Sequence, residues 1–171
     1  SRTHLADLIE TFEIAKNAGA DRICSADSLG ICEPLKVQST IGLIKKFIPN
    51  IDLEVHFHDD RGLAMANTLA SIDAGATFVS CTVNGIGERC GITETCLLIT
   101  NLHYNSIPCT GKSRKVLKLS NTVSKAIGDS FDRRRPIIGE YSFVHTAKLH
   151  LTANARDRSC YHWVDPVCLS E

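Results

Sequence analysis

Apolar residues along the chain recur at two different spacings. Leu5, Leu8, Ile9, Phe12 and Ala15 step by threes and fours, which lines one face of a helix. Thr3 is placed to cap that helix and Gly19 to end it. Residues 22–26 then read as a short strand running into Asp27-Ser28-Leu29-Gly30. Pro34 suits the first turn of a second helix, with Val37, Ile41, Ile44 and Phe47 or Ile48 inward, broken at Pro49-Asn50. Residues 53–58 alternate with period two and predict a second strand. A helix over 63–74 closed by Gly75, a strand over 78–83, a glycine-rich loop over 84–91 and a helix over 93–104 complete this part. After Asn105 a polar linker carries Pro108 and Gly111, and Ser113 is placed to cap a helix bearing Val116, Leu117, Leu119, Val123 and Ile127. A last helix is predicted over 146–155.

Strand and helix alternating in this way call for parallel strands covered by helices, an α/β fold. In such folds the polar groups at the carboxyl ends of strands belong to the active face. All three predicted strands end in polar clusters: Asp27-Ser28, then His56, His58 and Asp60, then Asn84 through Arg89. Within 53–58, Glu54, His56 and His58 fall on one strand face, opposite Val55 and Phe57. Two imidazoles on one face beside carboxylates can hold a divalent cation. An isolated His-x-His pair reads more readily as two histidines satisfied by hydrogen bonds. Three convergent clusters are harder to explain as packing, and they favour a site.

Other residues carry alternatives. Asp27 can cap the following turn or serve the site. Glu88 and Arg89 can brace their glycine-rich loop, and that loop is weak evidence for phosphate binding. Tyr161, close to Trp163, can be plain packing.

Composition narrows the classes. The 19 basic and 19 acidic residues cancel, and no basic stripe points to nucleic acid. Arg133-Arg134-Arg135 reads as a solvated turn before Pro136. No apolar run reaches membrane-spanning length. The eight cysteines form no Cys-x-x-Cys pair, which fits reduced thiols in the cytoplasm, or in an organellar matrix if a targeting segment precedes the chain.

These residues resemble the metal-dependent barrel enzymes that include homocitrate synthase, 2-isopropylmalate synthase and 3-hydroxy-3-methylglutaryl-CoA lyase. The resemblance rests on Ala26-Asp27-Ser28-Leu29-Gly30, on Glu54-Val55-His56-Phe57-His58-Asp59-Asp60, on Ala66-Asn67 with Ala74-Gly75-Ala76, and on Asn84-Gly85-Ile86-Gly87-Glu88-Arg89. Further along, Arg135 to Glu140, Phe143-Val144-His145, His150, Tyr161 and Asp165-Pro166 resemble the synthase branch.

The resemblance implies a partial (β/α)8 TIM barrel, the last three strand–helix units over residues 1–105, followed by a small helical post-barrel segment over 106–171. It implies a Claisen-type condensation of acetyl-CoA with a 2-oxo acid. His56 and His58 would be ligands of a divalent cation (Mg, Mn or Zn), Glu54 an active-site carboxylate, and Ser28 a substrate-carboxylate donor where the family has threonine. His150 and Tyr161 would assist proton transfer, reaching across a homodimer, with His145 orienting their segment. Arg61 is a candidate partner for a second substrate carboxylate. The family's acidic metal ligand, beside an arginine on the first barrel strand, has no counterpart here. The chain therefore reads as a C-terminal piece or truncated product, inactive alone. A lyase on the same scaffold and a non-catalytic partner of a complete barrel are the alternatives. Asp59 in place of asparagine and Lys148 in place of glycine depart from the family pattern.

Overall fold

The computed structural model describes residues 2–169, and the chain divides into two compact units, residues 1–93 and 94–171. In the first unit, α1 (Leu5–Asn17), β1 (Arg22–Asp27), α2 (Pro34–Phe47), β2 (Asp52–Phe57), α3 (Ala64–Asp73) and β3 (Phe78–Ser80) follow in order. The strands form one parallel sheet in the order β1-β2-β3. Strand and helix alternating around a parallel sheet is the repeating unit of a (β/α)8 barrel.

The period-two pattern of β2 decides which way the sheet faces. Leu53 and Val55 are completely buried and Phe57 nearly so, packed with Val37, Ile41, Ile44 and Ile48 from α2 and its end. Glu54, His56 and His58 are left half-buried. Ile48 rather than Phe47 enters the core: Phe47 is 56% exposed and Ile48 1%. Ile44 is also 1% exposed. Ile44→Ala should therefore cost about 2–5 kcal/mol, lost transfer energy plus a cavity that the packed helix closes only in part. Urea unfolding of the two proteins measures it.

Several predicted boundaries shift, two of them for a reason visible in the local structure. α1 takes His4, not Thr3, as its N-cap, and no side chain bonds the free amides there. The third strand stops at Ser80 instead of reaching Val83, because Val83–Gly85 turns tightly with Asn84 in the left-handed region at φ 61°. Thr82 N–H bonds the carbonyl of Thr93. The chain thus leaves the ladder to close its loop.

The second unit holds α4 (Thr95–Tyr104), α5 (Val116–Ile127) and α6 (Lys148–Arg156). Glu94 caps α4, its carboxylate accepting from the amides of Cys96 and Leu97. Ser113 does not cap α5 as its position suggested. Residues 113–115 form a separate tight turn, and the Ser113 hydroxyl instead meets His103 Nδ1 at 2.9 Å. Gly128, at φ 69°, ends α5 in the left-handed conformation that disfavours a Cβ. Leu98, Leu102, Val116 and Leu169 are buried here. Arg133 in the basic run is clamped by Glu140 at 2.7 and 2.8 Å. Among the described residues no helix is long and apolar enough to cross a membrane. All eight cysteines are free.

Candidate functional site

The parallel register sets side chains of neighbouring strands in rows. Cys24, Glu54 and Phe78 occupy one row, and Ala26, His56 and Ser80 the next. His58 lies one step past β2, where it bridges to Ile92 at the end of the glycine-rich loop. The two imidazoles converge: His56 Nε2 and His58 Nε2 are 3.3 Å apart, with ring centroids 5.0 Å apart at 64°. His56 Nδ1 lies 2.9 Å from Ser80 Oγ. With its proton on Nδ1 donated to that hydroxyl, His56 turns a bare Nε2 towards His58.

This arrangement can be tested against a cation. Ligand bonds of about 2.05 Å to both Nε2 atoms would subtend roughly 105°, an ordinary ligand angle. Burial, and then the neighbouring His58, push His56 below the usual imidazole range, while Glu54 acts in the opposite direction. A neutral imidazole is the ligand form, so His56 suits the role at neutral pH. His56 also has the outer hydrogen bond that metal-bound histidines commonly make. His58 does not: its Nδ1 is buried without a partner. No group of three or more His, Cys, Asp and Glu able to hold a metal occurs among the described residues. Two imidazoles fit as part of a cation site, which needs further ligands to be complete.

Glu54 shares the His56 face, but its carboxylate is engaged by Arg22 at 3.2 Å. The Arg22 guanidinium lies over the Phe78 ring at 3.6 Å from its centroid. Ser28 is exposed at the end of β1, its backbone carbonyl accepting from Arg89 at 2.7 Å. Asp27 caps its turn: it is 2% exposed and Oδ2 accepts from the Cys32 amide at 2.7 Å. Arg61 is directed to the Ile31 carbonyl at 2.9 Å and to Glu33 at 3.2 Å. Those contacts use two of its five N–H donors.

One guanidinium ties the three strand ends together. From the loop after β3, Arg89 donates Nε and an Nη to the two Asp60 oxygens at 2.6 and 2.9 Å, and reaches the Ser28 carbonyl after β1. This pair holds the Asp60 carboxyl below the ordinary range. Gly30 completes the fit. A Cβ there would lie 2.7 Å from Asp60 Oδ2 and 3.0 Å from the His58 carbonyl oxygen. The loop itself closes through Gly91 at φ 80°, where a Cβ would lie 1.7 Å from the Gly85 oxygen. Asp59 N–H bonds the Gly91 carbonyl at 3.0 Å, and Asp59 Oδ1 receives the Ala64 amide at the start of α3. Arg89 therefore works as a brace.

In the second unit His150 and Tyr161 come together, stacked at 4.0 Å and 25°. Tyr161 is 41% exposed. His145 adjoins both, at 5.5 Å from His150 and 6.0 Å from Tyr161. Burial, then His162, then His150 hold His145 below the ordinary imidazole range. Three participants escaped sequence reasoning: Ser80, Arg22 as the partner of Glu54, and His162. Ser80 and Arg22 are assigned by strand register, which no local pattern announces. His162 stood in view beside Tyr161 but had no spacing to single it out.

Several known proteins are similar to this chain. The HMGL-like family profile matches residues 1–123. Homocitrate synthase of Sulfurisphaera tokodaii is 37% identical over 166 residues, which is 97% of this chain and 36% of that protein. Homocitrate synthase of Saccharolobus solfataricus is 35% identical over the same shares. The chain thus spans about a third of the length of the curated relatives it matches. Among solved structures, HMG-CoA lyase of Bacillus subtilis superposes with a TM-score of 0.70 at 21% identity, covering 77% of this chain and 46% of that one. An HMG-CoA lyase of Acinetobacter baumannii, in complex with coenzyme A and 3-methylmalate, gives 0.68 at 22% identity, over 83% and 48%. Such low identities speak for the fold alone. A profile match across most of the chain, joined to relatives above a third identical over nearly all of it, settles the assignment: the chain belongs to the HMGL-like family.

Proposed function

We propose that the chain is part of an acyltransferase that condenses acetyl-CoA with a 2-oxo acid, as a homocitrate synthase or 2-isopropylmalate synthase does in amino-acid biosynthesis. The observation that carries this reading is the 37% identity with a homocitrate synthase over 97% of the chain. The convergent imidazoles at the end of β2 support it. A divalent cation (Mg, Mn or Zn), held by His56 and His58 with an acidic ligand from outside this chain's described residues, would supply Lewis-acid polarisation of the ketone. Ser28 offers its exposed hydroxyl to the substrate carboxylate. Glu54, released from Arg22 or shared with it, contributes a carboxylate to the same face. His150 and Tyr161 take part in removing a proton from the acetyl methyl group. The resulting carbon nucleophile forms a bond to the ketone carbon, the ketone oxygen takes up a proton, and water then cleaves the thioester to release the CoA thiol.

His150 and Tyr161 serve the neighbouring protomer of a homodimer in this reading, with residues 1–105 as barrel and 106–171 as post-barrel segment, in a cytoplasmic or organellar compartment. The lyase reading keeps the same scaffold and runs the carbon–carbon bond the other way. The test is acetyl-CoA-dependent thiol release with 2-oxoglutarate and with 2-oxoisovalerate at several metal concentrations, beside cleavage of 3-hydroxy-3-methylglutaryl-CoA. The 171-residue chain is assayed alone and with a fragment supplying the remaining barrel strands. Turnover is expected with a 2-oxo acid, only in the reconstituted sample. Cleavage without condensation would replace this reading by the lyase, and turnover by the chain alone would show that two imidazoles suffice.

A further inference from the structure

His150 and Tyr161 do not stand alone in their unit. His145 Nε2 lies 2.9 Å from His162 Nε2, the rings 4.9 Å apart at 31°. One of those two nitrogens must carry the proton for the contact to be a hydrogen bond. The surroundings decide which. His162 Nδ1 is buried and lacks a partner. If His145 were the donor, a neutral His162 would keep its own proton on Nδ1, a buried N–H without an acceptor. If His162 donates from Nε2, its Nδ1 is a bare lone pair, which is the less costly orphan. Asn154 lies at the edge of this contact. Its Nδ2 is placed 3.5 Å from His162 Nε2 while its Oδ1 is buried without a partner. At 3.5 Å that amide contact is marginal and does not choose between the two arrangements. Phe143 holds the His162 ring edge-on at 5.5 Å.

We propose that His162 is a positioning residue for the His150–Tyr161 pair: its Nε2–H fixes the His145 imidazole in the tautomer that carries its proton on Nδ1, beside that stack. This rests on the reading of His150 and Tyr161 as the proton-transfer pair. Three imidazoles this close oppose a second positive charge once one is present. His145, held below its ordinary range, then stays neutral while the stack exchanges its proton. The charged groups on the neighbouring elements do not compensate. Lys148 and Arg156 on α6 are exposed, Arg158 is 3.6 Å from Asp165, and Asp157 is taken up by Ser159.

The experiment is long-range 1H–15N NMR of the imidazoles in the 171-residue chain across about pH 5 to 9. His145 is expected to show a protonated Nδ1, a bare Nε2 and a depressed midpoint. His162→Phe removes the donor while keeping an aromatic ring, and should mix the His145 tautomers and raise its midpoint. His162→Gln keeps an N–H donor and should restore the single tautomer, which separates a lost hydrogen bond from lost packing. In the reconstituted condensation assay, His162→Phe should lower kcat by roughly 10- to 100-fold, less than loss of a direct acid–base group, with KM for acetyl-CoA unchanged. A wild-type His145 protonated on Nε2, a His145 unmoved by His162→Phe, or an undiminished kcat would each overturn the proposal. Absence of turnover in every form counts against the condensation reading and leaves the tautomer measurement to decide this one.

Discussion

Replacing His56 by alanine should abolish detectable divalent binding and lower turnover of the reconstituted enzyme by about 10^3-fold or more. Lewis-acid stabilisation of a developing charge is worth several kcal/mol, and about 1.4 kcal/mol is tenfold in rate. His56 is the better supported of the two imidazoles, with Ser80 holding its outer nitrogen at 2.9 Å. His58 Nδ1 has no such partner. His58→Ala should therefore weaken binding less than His56→Ala. Affinity should also fall as pH drops, because a proton competes for the ligand nitrogen. For His56 that loss sets in below the ordinary imidazole range, since burial and His58 depress its midpoint. Isothermal titration with Mn or Zn over pH decides both points. Unchanged affinity in His56→Ala would remove the cation from this face.

Arg89→Ala should weaken metal binding by about 10- to 100-fold while the helices stay folded, the usual effect of losing an outer support. The guanidinium contacts groups following β1 and β2 from the loop following β3, so its loss frees all three polar clusters at once. Arg89→Lys should recover little, because an ammonium cannot reproduce the forked contact with Asp60. The sign of the pH effect follows from Asp60. Its folded carboxyl is held below the ordinary value, so the clasp is fully formed above the unfolded carboxylate pKa and is lost as pH falls through the depressed folded one. Circular dichroism beside calorimetric metal titration separates loss of the clasp from loss of fold. Equal metal affinity in Arg89→Ala would make the clasp a matter of loop order alone.

Much of this was legible in the residues themselves. The three- and four-step spacing of Val37, Ile41, Ile44 and Ile48 required an inward helical stripe, and period two in β2 required Glu54 and His56 to share a face. Those are properties of helix and strand geometry, so they hold before any tertiary contact forms. Boundaries followed less well. Thr3 and Ser113 are sound caps by type, yet neither caps its helix. Ser113 meets His103 instead, a partner that becomes available only once the chain has folded back. β3 ends early because Thr82 bonds the chain at Thr93, again a distant choice.

By itself, then, the sequence determined the alternation of parallel strands and helices, the burial of Leu53, Val55 and Phe57, and the gathering of polar residues at the strand ends. Tertiary structure alone decided that Ser80 supports His56, that Arg22 holds Glu54, that Arg89 clasps Asp60, and that His162 meets His145. The physical reason is range. Periodicity is written in neighbours two to four residues apart, whereas these pairs lie 17 to 32 residues apart in the chain and meet only through strand register and loop closure.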